Sequence, residues 1–494
     1  MSDNISKYQR AGGIHRVPLW RIGGFALNNT STNMYLFLMN YVAYYLGGFV
    51  GVTTMVASSF ATMMRLWDGV TDPFIGFVVD KTDGKFGKNR PFMVIGQIIL
   101  CVTSFILFHV THKLPENTAV RFGFFIIVAA VYYVGYTFQC CVTKAAQSCL
   151  TNDPKQRPLF AVFDAAYNTI IFTVTAIVAA RISGKYGNTF YDTGVFHELW
   201  LVTAVCSAVF TAIAVISIWP KDRTEFFGTG KAIRVTLKDY WDTLKNNRAI
   251  QMLVVAASTD KLATSARTSA VTVVMFGVVA GNFALNGIAT GITSVPTVLL
   301  TIVVIGGLAT TLGQRKGMII GSIGGIITSA MLICLWLFGN PQSMGTAEGG
   351  LNWGFFTIAY ILLTIVNGGF NNLSANIVIP MTADCADYEV YRTGKYVPGM
   401  MGTLFSFVDK MISSLAPLIA GLMFSMIGFK DQLPDQSTPY SASLLYTGVF
   451  LMYGIVICGQ ICNLIAMKYY PLTKEKMAEI RDEIERIKAE ASKA

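Results

Sequence analysis

Charge is what this sequence has least of. Only 13% of its 494 residues are Asp, Glu, Lys or Arg, about half the share of a soluble protein. A soluble chain of this length folds as about three domains, and each would need a charged surface that no stretch here supplies. Histidine is scarcer, with four residues. His15, His109, His112 and His197 fall near helix ends or loops, so no His or Glu cluster is expected at a common depth. Also missing are a P-loop and strand-length alternation of the barrel kind, and no cleavable leader is expected. The first sixteen residues are polar, so membrane insertion is expected to follow from the first true span. Nine cysteines are present, all in or beside apolar runs. Cys140 and Cys141 are adjacent and Cys458 and Cys462 are i,i+4, neither being a zinc spacing. They are expected to be small packing residues. These absences exclude a secreted disulfide scaffold, a disordered chain and a nucleic-acid-binding protein.

What is present is hydrophobic: 53% of the chain, with a mean hydropathy of +0.52. Apolar segments recur at about 22–46, 50–79, 91–112, 119–149, 159–182, 196–219, 249–280, 285–312, 317–339, 352–381, 397–428 and 442–468. Each suits a span of about 20 residues. Backbone groups in lipid are satisfied only within a helix or a closed barrel. The expected fold is therefore all-α, a polytopic membrane protein of twelve transmembrane helices. Residues 1–219 and 249–468 are expected as two six-helix bundles, joined by a linker at 220–248 and followed by a tail at 469–494.

The 38 basic residues outnumber the 28 acidic ones and sort by loop. Lys7, Arg10 and Arg16, Lys81 to Arg90, Lys155 and Arg157, the linker, Arg315 and Lys316, Arg392 and Lys395, and the tail share one side. Lys113, Lys185 and Lys430 lie on the other. The positive-inside rule makes the first side cytoplasmic, both termini included. KNRPFMVIGQII (Lys88 to Ile99) and GQRKGMIIGSIGG (Gly313 to Gly325) echo each other, suggesting an internal duplication. In the tail, Met477, Ile480, Ile484 and Ile487 form one stripe of a charged helix, expected to be solvated or to lie on the membrane surface.

Ionisable residues inside spans are costly, about 2.5–3.5 kcal/mol each at the bilayer centre, and mark functional sites. Arg65, Asp68 and Asp72, at i, i+3 and i+7, share one helix face that continues to Asp80. Two carboxylates one turn apart favour a cation between them or a proton on one, and Arg65 offsets part of the charge. Thr137 could add a hydroxyl oxygen of the kind sodium accepts, and Thr71 lies beside Asp72; most membrane threonines, however, bond their own helix. Asp260, Thr264 and Arg267 form a second stripe, either a cavity-lining or gating pair or a salt bridge without a transport role. Asn371, Asn372 and Asn376 offer amides to a substrate or to another helix. The loop Lys81 to Arg90 is read as an inter-helix latch.

These residues carry a family pattern. RLWDGVTDPFIGFVVDKTDGKFGKNRPF (Arg65 to Phe92) resembles the signature of the glycoside-pentoside-hexuronide:cation symporters, the melibiose permease family, within the major facilitator superfamily. TADCADYEVYRTGKY (Thr382 to Tyr396) resembles the family's run after the tenth helix, FVDKMISS (Phe407 to Ser414) its lysine-bearing eleventh helix, and NNRAIQMLV (Asn246 to Val254) the start of its seventh. The resemblance implies alternating access by two six-helix bundles, with a cation site on the second and fourth helices. It implies that Asp68, Asp72 and Thr137 bind the cation and that Arg65 belongs to the same network. Lys410 would face the cavity, and Tyr35 and Tyr136 would line the sugar site.

The sugar side departs from the melibiose pattern. Asn28 and Cys140 stand where that pattern has aspartates, Lys144 stands where it has an aromatic, and the fifth-helix arginine falls on Ala165, next to Asp164. Two carboxylates lost and a lysine gained suggest an anionic ligand such as a uronide, unless Lys144 only pairs with Asp164 or with the Asp68 cluster. The expected function is import of a glycoside, pentoside or sugar acid coupled to sodium or a proton, with no cofactor beyond that ion. The protein is expected to be a monomer in the plasma (inner) membrane that performs no covalent chemistry. Rival readings are a drug, lipid or organic-acid carrier on the same scaffold, a membrane-embedded enzyme, and a non-transporting sensor.

Overall fold

The computed structural model describes residues 9–10, 14–81, 86–87, 89–146, 150–151, 156–222, 245–267, 269–304, 312–346, 350–393, 411–480 and 483. Within these stretches the side chains of Arg65, Asp68, Asp72, Lys144 and Asn376 lie outside the described set. The described chain is helical apart from a short antiparallel pairing of Gln9–Arg10 with Ile14–His15 and a single bridge between Gly345 and Leu351. By its internal contacts it divides into two compact units. One is Met1–Lys231 with Phe429–Leu433, the other Ala232–Gly428 with Pro434–Ala494.

The first unit holds α1 (Leu19–Met39), α2 (Thr54–Lys81), α3 (Arg90–His109), α4 (Thr118–Ala145), α5 (Arg157–Lys185) and α6 (Thr193–Ile218). The second holds α7 (Arg248–Ser265), α8 (Ala284–Val304), α9 (Gln314–Phe338), α10 (Phe355–Thr393), α11 (Leu415–Met426) and α12 (Ala442–Tyr469), the last carrying a π-turn at Phe450–Gly454. Among the described residues eight helices are long and apolar enough to cross a membrane. The number is nine when α7 and the bent continuation Ala270–Val279 count as one span.

Local chemistry sets the helix starts. Asn117 accepts from the Ala119 and Val120 N–H groups at 3.0 and 3.2 Å, Asp192 from Gly194 at 2.7 Å and Asn247 from Ile250 at 3.1 Å. Each satisfies donors that a first turn otherwise leaves open. Pro91 and Pro158 sit at the entries of α3 and α5, where a missing N–H is harmless.

The outside of the helices explains the composition. On α6, Leu201, Val205, Val209 and Ile213 are exposed while Thr203, Ser207, Thr211 and Ser217 are buried. A helix that turns its aliphatic stripe outward and its hydroxyls inward is built for lipid. The inward hydroxyls are used. Ser31 on α1 bonds Thr211 at 2.8 Å and the Ser207 carbonyl at 3.0 Å. Gln97 on α3 donates to Tyr35 at 3.1 Å and to Ser207 at 2.9 Å, and accepts from Thr211 at 3.2 Å. One amide thereby ties α1, α3 and α6 together.

In the second unit Gln460 on α12 donates to Asp260 on α7 at 2.9 Å and to Asn371 on α10 at 3.1 Å. Asn371 donates to Asn367, and Asn367 to Thr328 and Ser329 on α9. The tail differs from expectation. Residues 474–480 are helical, and Met477 and Ile480 are buried in the apolar core with Met381, Cys385, Tyr470 and Leu472. The front of the stripe is thus packing surface, and two apolar residues three apart sufficed to anchor it.

Candidate functional site

The site begins with how α2 and α4 meet. Phe60 lies edge-on to Phe125 with centroids 5.3 Å apart, and one helical span later the Trp67 indole donates to the Ala130 carbonyl at 3.0 Å. The numbering rises on both helices, so they run parallel. Continuing at 1.5 Å per residue, Asp72 falls opposite about position 135, within a turn of Thr137. The backbone therefore brings the Asp68 and Asp72 positions and Thr137 to neighbouring levels of two packed helices.

Thr137 is 5% exposed, and its hydroxyl makes no hydrogen bond among the described residues. Its neighbours behave otherwise. Thr71 donates to the Trp67 carbonyl at 3.1 Å, Thr143 to Gln139 at 2.8 Å, and Thr103 to Ile99 at 2.6 Å. A buried threonine oxygen that is not spent on its own helix remains available to a hard cation or a substrate hydroxyl. The side chains of Arg65, Asp68, Asp72 and Lys144 lie outside the described residues, and Lys410 does so altogether.

A second polar seam lies between α1, α4 and α5. Asn28 donates to Thr143 at 2.8 Å, and its buried Oδ1 has no partner among the described residues. Asn29 donates to Asp164 at 2.7 Å and Asn33 to Asn168 at 2.6 Å. Asp164 is half-buried, held by an amide, and makes no ion pair among the described residues. The sequence reading passed over Asn29, Asn33 and Asn168, although two i,i+4 polar pairs on facing apolar helices were the signal.

Tyr35 is fully buried, its hydroxyl taken by Gln97. Tyr136 is half-buried with its ring edge-on to Tyr133, and Cys140 is half-buried one turn beyond. In the second unit Asp260 is buried against Gln460, while Arg267 donates to the Met452 carbonyl at 2.8 Å and lies over the Tyr453 ring at 5.4 Å. Asp260 and Arg267 therefore do not pair with each other. Thr264 bonds the Asp260 carbonyl of its own helix at 3.1 Å, and Asn372 bonds Thr301 on α8 at 3.3 Å.

The expectation that histidines share no depth is corrected. His109 at the end of α3 stacks on His197 of α6 with centroids 4.1 Å apart, and His112 lies 5.6 Å from His197 while facing the Tyr45 hydroxyl at 3.2 Å. Sequence positions 109 and 197 gave no hint of the meeting, which depends on α3 and α6 packing side by side. Among the described residues no group of three His, Cys, Asp or Glu side chains is arranged to hold a metal ion.

The latch read into Lys81 to Arg90 has a definite form. Asp222, fully buried beyond α6, accepts from the Asn89 N–H at 3.0 Å, the Asn89 side-chain amide at 2.9 Å, the Arg90 N–H at 2.9 Å and Arg90 Nε at 3.3 Å. The Arg90 guanidinium also lies 4.4 Å over the Trp219 ring. Asp222 caps α3 and ties its start to the end of α6.

Comparison with known proteins places these features among relatives. A family model described as MFS/sugar transport protein matches residues 26–474. The chain is 23% identical over 486 residues to the glucuronide carrier protein homolog of Escherichia coli (strain K12), covering 94% of this chain and 95% of that one. It is 22% identical to the isoprimeverose transporter of Lactiplantibacillus pentosus, covering 84% and 82%. Among solved structures, the nucleoside transporter NupG superposes with a TM-score of 0.60 at 12% identity, covering 91% of this chain and 100% of that one. The last likeness speaks to fold alone.

Proposed function

The chain belongs to the MFS/sugar transport proteins, and within them to the glycoside-pentoside-hexuronide:cation symporters; from that premise we propose that it imports a sugar acid or glycoside with sodium or a proton by alternating access. It is a membrane transport protein, not an enzyme. Asp68 and Asp72 on α2 and Thr137 on α4 are the proposed ligands of the coupling ion, with Thr71 beside them and Arg65 balancing the charge. The observation that carries this reading is the parallel packing of α2 on α4, which sets the uncommitted Thr137 hydroxyl at the level of Asp72.

Coupling follows from charge. With the ion absent, two carboxylates one turn apart repel; with it bound, the pair is neutralised and the loaded site favours substrate, a reciprocal free energy. Asn28, Tyr136, Cys140, Lys144 and Lys410 are the proposed substrate side, with Tyr35 behind them. The uronide reading is favoured by a relative that is named a glucuronide carrier homolog. The proposed setting is the inner membrane with both termini cytoplasmic and the protein a monomer.

The test is uptake into proteoliposomes of neutral sugars and uronates under separate sodium and proton gradients. One gradient is expected to drive accumulation of a uronate, and Asp72→Asn to abolish it while leaving the protein folded by thermal melt. Full accumulation by Asp72→Asn would remove the assignment.

A further inference from the structure

Inside a membrane a charged side chain needs a partner or a water-filled space. Among the described residues, two cations on α7 have no acidic partner. α7 and its continuation Ala270–Val279 read as one broken span, bent by 50°. At 1.5 Å per residue Lys261 and Arg267 stand about 20 and 28 Å from Arg248 in a span of about 47 Å. Both therefore lie well inside it. Asp260, next to Lys261 in sequence, is buried and accepts from Gln460 of α12 at 2.9 Å.

Arg267 sits at the break, between the end of α7 at Ser265 and the resumption at Ala270. Its Nε donates to the Met452 carbonyl at 2.8 Å, and its guanidinium lies 5.4 Å from the centre of the Tyr453 ring. That ring is itself fixed: Tyr453 is buried, and its hydroxyl accepts from Trp336 at 3.2 Å. Arg267 Nη2 is buried and has no hydrogen-bond partner. A carbonyl and a ring face thus hold the guanidinium in place without neutralising it, and leave unused part of a fork shaped for a carboxylate. The helix that resumes at Ala270 adds the dipole end that favours an anion.

Lys261 and Thr264 are exposed. Thr264 spends its hydroxyl on the Asp260 and Lys261 carbonyls at 3.1 and 3.0 Å, whereas Lys261 makes no hydrogen bond or ion pair among the described residues. The apolar exposed side of α7 is elsewhere: Val255 is 45% exposed and stands about 240° of helical turn from Lys261. α7 therefore has one exposed side fit for lipid and another fit for water. Broken helices inside the membrane are where transporters place such sites.

We propose that Arg267 and Lys261 form a carboxylate-recognising site on α7 of the second unit. Arg267 takes the carboxylate of a sugar acid on its unused edge, and Lys261 supplies a second positive charge. The inference rests on the sugar-acid reading above and adds which side chains distinguish the acid from its neutral counterpart.

The experiment titrates the full-length protein, in neutral detergent and a slightly acidic sodium buffer, with methyl β-D-glucuronide and methyl β-D-glucoside, read by thermal shift. The wild type is expected to favour the glucuronide. Arg267→Gln is expected to weaken the glucuronide roughly ten- to hundredfold, as for loss of a charged hydrogen bond, with the glucoside unchanged. Arg267→Lys keeps the charge and loses the fork, so it should recover part of that loss. Lys261→Gln should weaken the glucuronide about fivefold. Its side chain is exposed, so it should melt with the wild type and carries the test even where Arg267→Gln fails to fold. A wild type that favours the glucuronide, with the variants unchanged, overturns this inference and leaves the sugar-acid reading standing. Equal weakening of both ligands by the Arg267 variants would make the arginine structural and overturns it too. A wild type that favours the glucoside, or responds to neither, removes the sugar-acid reading and this inference with it.

Discussion

Replacing Asp222 by Ala isolates what the first unit gains from its internal latch. The Asp222 carboxylate is fully buried and the Arg90 side chain is 10% exposed, so truncation leaves a cation without its partner in a site closed to water. Breaking a buried pair in this way costs about 3–5 kcal/mol. Loss of the bonds from Asn89 and Arg90 at the start of α3 adds about 1 kcal/mol. The Trp219 face, 4.4 Å from the guanidinium, is present before and after the substitution and cancels from the difference. The net expectation is about 4–6 kcal/mol. At roughly 2–4 °C per kcal/mol for a unit of this size, the melting temperature falls by about 8–24 °C. Intrinsic fluorescence of the full-length protein during heating in detergent reads it. A control separates charge from packing: Arg90→Leu combined with Asp222→Leu strands no ion, so it should lose less than Asp222→Ala alone. The reasoning is refuted if Asp222→Ala melts with the wild type, or if the double variant is the less stable of the two.

Gly87→Ala should destabilise by about 1–2 kcal/mol from the left-handed backbone alone, and further because its Cβ meets Asp222 at 2.2 Å. Measured in the Asp222→Ala background, that second part should shrink but not vanish, because the backbone carbonyl of residue 222 lies 2.7 Å from the same Cβ. Gln97→Leu leaves Ser31, Ser207 and Thr211 short of a partner and should cost about 1–3 kcal/mol, seen as an earlier melt with no change in ion dependence. Thr137→Val keeps shape and removes the hydroxyl. It should raise the half-saturating concentration of the coupling ion with the melt unmoved, and an unchanged ion dependence would exclude Thr137 as a ligand. Burial, with Arg21 nearby, holds the Lys221 amine down at about 8 against an ordinary 10.5. The folded protein then binds fewer protons than the unfolded chain between those values, so stability rises with pH across that window. Lys221→Met should show no such rise in a melting series.

Hydropathy located the helices because lipid imposes one requirement on every span: an apolar outer face around internally bonded backbone. It located their ends less well. The tenth helix was expected to stop near 381 and continues to Thr393, since backbone bonding does not end where charge begins. Its extension holds Asp384 and Glu389, both buried, with Glu389 bonded to Arg392 and Asn247. The segment 249–280 was expected as one helix and is bent by 50°. Asp68 and Asp72 stand out in the sequence because carboxylates in an apolar run demand an explanation, and their role as ion ligands with Thr137 is a proposal. Asn29, Asn33 and Asn168 do not stand out, because an uncharged amide in a span shows its purpose only when its partner on another helix is known. Asp222 was hidden for the same reason, 132 residues from the arginine it holds.

The meeting of His109, His112 and His197 gives the molecule a built-in reporter. All four histidines belong to the first unit, and three of them share one small volume. Isotope placed on imidazole alone would leave the second unit silent and concentrate its signal at one end of α3 and α6. Ring currents from stacked neighbours would shift those resonances together, so a single sparse label would follow one boundary of the bundle through the transport cycle.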